Sequence, residues 1–92
     1  MYIKSAKLVL VIPYAASLKD KRQVRQSIIA KTRQKFNVSI AEVDTQDLCQ
    51  TLTLGIAVVS GDGKHAKQMT DEVVRFIEDN FEAELVETNY ET

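Results

Sequence analysis

SLKDKRQVRQSIIAKTRQKF, residues 17–36, opens as a capped helix, carries an apolar stripe and holds most of the chain's positive charge. The Ser17 hydroxyl can accept from a free amide of the first turn, and Asp20, three residues on, completes a capping-box-like pattern. Leu18, Val24, Ile28, Thr32 and Phe36, with Ile29 beside them, recur at helical spacing and mark the face that meets a core. Lys19, Lys21, Arg22, Arg25, Lys31, Arg33 and Lys35 fill most of the remaining surface, against Asp20 alone. A solvated helix gains about 0.2–0.5 kcal/mol from each i,i+4 pair of opposite charges. This one repels itself, so a compensating partner is required, inside the fold or outside it.

Working outward, residues 2–14 alternate and then run continuously apolar. Tyr2, Ala6, Leu8, Leu10 and Ile12 fall on one face and Ile3, Val9 and Val11 on the other, the pattern of a strand buried on both faces near its end. Pro13, Ala15 and Ala16 make the turn into the helix. Beyond Phe36, Asn37 is a helix stop, Val38 to Asp44 reads as a second strand, and Thr45 to Asp47 is a polar connection. Leu48 to Val59, rich in Thr, Leu, Ile and Val, is a third strand. The Ser60-Gly-Asp-Gly63 segment breaks it, with Asp62 or Ser60 placed to cap a second helix whose apolar side is Ala66, Met69, Thr70, Val73, Val74, Ile77 and Phe81. Ala83 to Tyr90 alternates weakly as a last strand. The order is βαββαβ, with no repeat and no linker. It is the order of the ferredoxin-like α+β sandwich, a four-stranded antiparallel sheet with both helices on one face.

A chain of 92 residues suits one domain, spanning 1–92, and one core. With 45% hydrophobic and 27% charged residues it reads as a folded globular chain. The apolar run Leu8–Ile12 falls far short of the roughly 20 residues that cross a bilayer, and MYIKSAK lacks a signal-peptide core. The single Cys49 has no internal disulfide partner, so a reducing cytoplasm is expected. The net charge of −1 conceals an asymmetry. Lys4, Lys7 and the helix are basic, whereas Asp71, Glu72, Glu78, Asp79, Glu82, Glu84, Glu87 and Glu91 have only Arg75 among them.

Several clusters invite a chemical reading. The basic helix with Lys4 and Lys7 suits phosphate contact along a nucleic-acid backbone, with Lys19, Lys21, Arg22, Arg25 and Arg33 as the contact residues. Its alternative is pairing with an acidic surface, such as the chain's own C-terminal half. No Phe or Tyr pair occupies the strand positions from which a sheet would stack bases. Glu42, Asp44 and Asp47 are close in sequence, with Glu42 and Asp44 on one strand face, as a divalent-cation or acid/base site would need. Pairing with the basic helix explains them more simply. Gly61-Asp-Gly-Lys64 lacks the spacing and hydroxyl of a phosphate loop and reads as a capped connection. His65 is a lone surface histidine, and Cys49 has no histidine partner that would make it a nucleophile. With no Ser/His/Asp set, no CxxC and no dinucleotide fingerprint, no catalytic residue, metal or cofactor is expected.

The combination Ser17-Leu-Lys-Asp-Lys-Arg22, Phe36-Asn-Val-Ser-Ile-Ala-Glu-Val43, Asp47 to Gln50 and Leu54-Gly-Ile-Ala-Val-Val-Ser60 resembles the YlxP-like family of small bacterial cytosolic proteins of unknown function. The resemblance covers nearly the full length. It implies the ferredoxin-like fold and a link to translation or ribosome assembly, through the genes that neighbour such proteins. The matching positions are Ser17, Leu18, Lys19, Lys21, Arg22, Phe36, Asn37, Ser39, Glu42, Asp47 and Gln50. Cys49 stands where relatives often carry tryptophan, and Thr51 where arginine is frequent.

The expected function is a non-enzymatic protein that binds RNA or a ribosomal particle through its first helix. The alternative is a homo-oligomeric structural or protein-interaction module that binds no nucleic acid. For the second, Val9 and Val11 on the first strand with Ala57 and Val59 on the third would form one apolar patch on the sheet face opposite the helices.

Overall fold

Alternation in the first eleven residues makes a strand whose even-numbered side chains Ala6, Leu8 and Leu10 are buried, and this strand lies at the centre of the sheet. The computed structural model describes residues 1–92. Its order is β1 (Tyr2–Val11), α1 (Leu18–Lys35), β2 (Ser39–Asp44), β3 (Thr51–Ser60), α2 (Gly63–Asn80) and β4 (Glu84–Tyr90). The sheet is antiparallel with strand order β2-β3-β1-β4, and the expected ferredoxin-like α+β arrangement is present. Helix α2 packs over β1 and β3, and α1 over β2. Leu8, Leu10 and Ile12, Leu52, Leu54 and Ile56, Ile40, Ile28, Val73 and Ile77 form the core between sheet and helices.

Both helices start where local chemistry dictates. The Ser17 Oγ accepts from the Asp20 amide at 3.2 Å, while the Asp20 carboxylate accepts from the Ala16 amide at 2.9 Å. Asp62 caps α2 by accepting from the Lys64 amide at 2.9 Å. At the far ends of the helices Phe36, Phe76 and Phe81 stack edge to face, with centroid separations of 5.5 and 5.9 Å.

Strand ends depart from the sequence reading. The third strand starts at Thr51 rather than Leu48 because residues 45–50 form turns. The Leu48 amide donates to the Thr45 carbonyl, and Gln50 Nε2 donates to the carbonyls of Pro13 and Ala15 at 3.1 and 3.2 Å. Those bonds clamp the β2–β3 connection onto the β1–α1 turn. Thr45 carries φ of 54°, the left-handed region, and its hydroxyl meets Thr53 Oγ1 at 2.9 Å.

Each outer strand contains a bulge. On β2 the register passes from Glu42 opposite Leu54 to Asp44 opposite Thr53, leaving Val43 as the extra residue. On β4 it passes from Leu85 opposite Leu10 to Glu87 opposite Val9, leaving Val86. The first bulge corrects one expectation. Glu42 lies level with core-facing Leu54 and Asp44 with Thr53, so the two carboxylates occupy opposite sides of the sheet.

Candidate functional site

The seven bases of α1 largely find their compensation inside the fold. Lys21 lies on the buried stripe, three residues before Val24 and seven before Ile28, and is only 1% exposed. Its ammonium meets Glu42 Oε2 at 2.8 Å and donates to the Thr45 carbonyl. The Arg25 guanidinium donates to Glu42 Oε1 at 2.9 Å. One carboxylate on β2 thus neutralises two bases on α1, because that helix crosses over that strand. Burial pushes the Glu42 pKa up, but the contacts and charges of Lys21 and Arg25 outweigh it and hold the carboxyl below its ordinary value. Arg33 Nη2 donates to the Ile40 carbonyl at 3.0 Å. Lys31 stands 5.8 Å from the Phe81 ring centre and Lys35 5.1 Å from that of Phe76.

Of the five bases expected to contact RNA, Lys21, Arg25 and Arg33 therefore have internal partners, and Lys19 and Arg22 remain exposed without one. The acid-rich C-terminal half forms no ion pair with α1: its one pair is local, Lys67 with Asp71 at 3.1 Å. Lys4 and Lys7 do not extend the basic helix either. Lys4 faces the helix side beside Lys67, Asp71 and Tyr90, whereas Lys7 pairs with Gly55 on the open side. The Lys67 contact keeps the Asp71 carboxyl below its usual pKa against the pull of burial, and the Tyr90 hydroxyl donates to it at 3.1 Å.

The remaining candidates separate. Asp44 and Asp47 are exposed, Glu42 is taken by Lys21 and Arg25, and no three His, Cys, Asp or Glu residues come together to hold a metal ion. The Asp62 cap accounts for the Gly61–Lys64 turn. His65 is exposed, and Cys49 is a free, half-buried thiol 3.9 Å from the Ala15 carbonyl.

The open side of the sheet carries a feature that composition alone did not announce. Val9 and Val11 lie opposite Thr53 and Thr51, while Ala57 and Val59 lie opposite Ser5 and Ile3. The four expected interface residues are thus two groups separated by Lys7 and Gly55, not one continuous patch. A trough of about 360 Å³ runs across β2, β3 and β1, lined by Ser5, Lys7, Ser39, Ala41, Val43, Gly55 and Ala57, with Glu91 at one end. Small side chains make it: a Cβ on Gly55 would lie 2.8 Å from Val43 Cγ1. On one side stands a ridge of Ile3 and Val59, which are 50% and 62% exposed. The signal in the sequence was the small residues at period two, Ser39 and Ala41 on one strand and Gly55 and Ala57 on the next.

No helix of the chain is long and apolar enough to cross a membrane. Residues 3–90 match the family described as "Protein of unknown function (DUF503)". The chain is also 38% identical over 81 residues, 88% of each protein, to "Uncharacterized protein YlxP" of Bacillus subtilis (strain 168). The resemblance drawn from the SLKDKR and FNVS motifs is the same relationship.

Proposed function

We propose, from the premise that the chain belongs to the DUF503 family of proteins of unknown function, that it is a non-enzymatic protein-interaction module working through the open face of its sheet. The observation that carries this reading is the uncovered side of β1 and β3. Both helices lie on the other side, and Ile3 and Val59 stand half or more exposed beside a trough of small residues. Exposed apolar side chains beside a concave, mostly small-residue surface are the usual mark of a protein contact. A reducing cytoplasm fits the unpaired Cys49. Affinity capture with the wild-type chain, after nuclease treatment, tests the proposal. Val59→Arg should abolish the capture of specific partners, and capture that vanishes with nuclease would overturn it.

A second reading keeps RNA or a ribosomal particle as the partner. It is favoured by Lys19 and Arg22, exposed and unpartnered in the first turns of α1. Titration with total RNA and small ribosomal subunits at two salt concentrations tests it. Binding that is tight at low salt, falls with salt and is lost in Lys19→Glu/Arg22→Glu would support it.

A further inference from the structure

Resting on the interaction-module reading, we infer that the partner of the open sheet face is a second copy of this chain. The two copies dock about a two-fold axis, with the Ile3–Val59 ridge of each seated in the trough of the other. A two-fold contact uses the same surface on both partners, so that surface must carry both halves of every complementary feature. This face does. Ridge and trough lie side by side along one ladder: Ile3 opposes Val59, and the next pair on the same side is Ser5 opposite Ala57. A protruding apolar pair thus adjoins a hollow of small side chains that provides about 360 Å³ of space.

Charge is arranged in the same self-complementary way. Lys7 is half-buried in the trough wall and has no ionic partner in its own chain. Glu87, level with Val9 on the open side, and Glu91, at the end of the trough, likewise have none. A two-fold operation brings carboxylates of one copy toward Lys7 of the other, and the exchange is reciprocal. The broad side of the molecule measures 42 × 22 Å, room for the roughly 800 Å² per partner that a stable interface covers. A nucleic acid matches this face poorly. Tyr2 and Tyr90 belong to the helix side, so no aromatic ring is offered for stacking, and two glutamates border the only lysine.

Sedimentation analysis of the full chain across micromolar concentrations provides the test. The wild type should be a dimer. Val59→Arg and Ala41→Trp, both at exposed positions, should give monomers with unchanged far-ultraviolet circular dichroism. Lys7→Glu should weaken the dimer at least about tenfold by placing like charges together, and adding Glu87→Lys and Glu91→Lys should recover it. A dimer indifferent to Val59→Arg and Ala41→Trp would overturn the inference, as would a wild type that stays monomeric throughout. A monomer that still holds a different protein through Val59 overturns the second copy as partner and leaves the interaction-module reading standing. A monomer with no Val59-dependent partner removes both.

Discussion

Glu42 balances two cations with one carboxylate, so its removal leaves more behind than the removal of either base. In Glu42→Gln the Lys21 ammonium stays buried without its counter-charge, and stability should fall by about 3–5 kcal/mol in urea denaturation. The pH dependence follows from the lowered pKa. The ion contacts contribute fully above the unfolded carboxylate value of about 4.3, and the contribution disappears as pH falls through the lower folded value. The wild type should therefore lose stability steeply on acidification below about pH 4.3, and Glu42→Gln should show a shallower acid limb. Thr32 makes the opposite case. Its hydroxyl is buried in the α1 stripe with no hydrogen-bond partner. Thr32→Val keeps the shape and the β-branch and should add about 1 kcal/mol in the same measurement. By sequence Lys21 groups with the surface bases, yet 21, 24, 28 and 32 share one helix face and its side chain is buried. A lysine in an apolar stripe makes sense only once the strand supplying Glu42 lies beneath it.

Helix α1 shows how much an element discloses before its neighbours are known. Its start was legible from local chemistry, because Ser17 and Asp20 satisfy amides within four residues. Its self-repulsion was legible too, and so was the need for a partner. Pairing of Glu42 with the helix was legible as well, and it meets Lys21 and Arg25. What stayed hidden was the share taken by the Ile40 carbonyl and by the Phe76 and Phe81 rings, none adjacent in sequence to the base it meets. The consequence is quantitative. Single-stranded RNA binding through Lys19 and Arg22 alone should give a log–log salt slope near about −1.4, whereas all five expected contacts would give about −3.5. A filter-binding titration between low and moderate salt separates the two values. The end of the β2–β3 connection, Leu48–Gln50, was misread as strand because it has strand-like neighbours, while the bonds from Gln50 to Pro13 and Ala15 are long-range.

For the whole molecule, the βαββαβ order followed from runs of period two and period 3.6 of the right lengths, and the four-stranded antiparallel sheet with both helices on one face followed from that order. The open face was only half legible. Its residues were identifiable by alternation, but their grouping depends on register, and register placed Val9 and Val59 toward opposite ends of the ladder. If that face joins two copies, the midpoint of thermal unfolding should rise with protein concentration for the wild type and stay constant for Val59→Arg. The two bulges have a consequence of a different kind. Val43 and Val86 each interrupt an outer strand, so neither border of the sheet presents a straight run of free amides and carbonyls. Copies of the chain are thereby kept from stitching border to border into a growing ribbon, and because both helices cover the other side of the sheet, two sheets stacked by their open sides leave no third side on which to run on as a fibre.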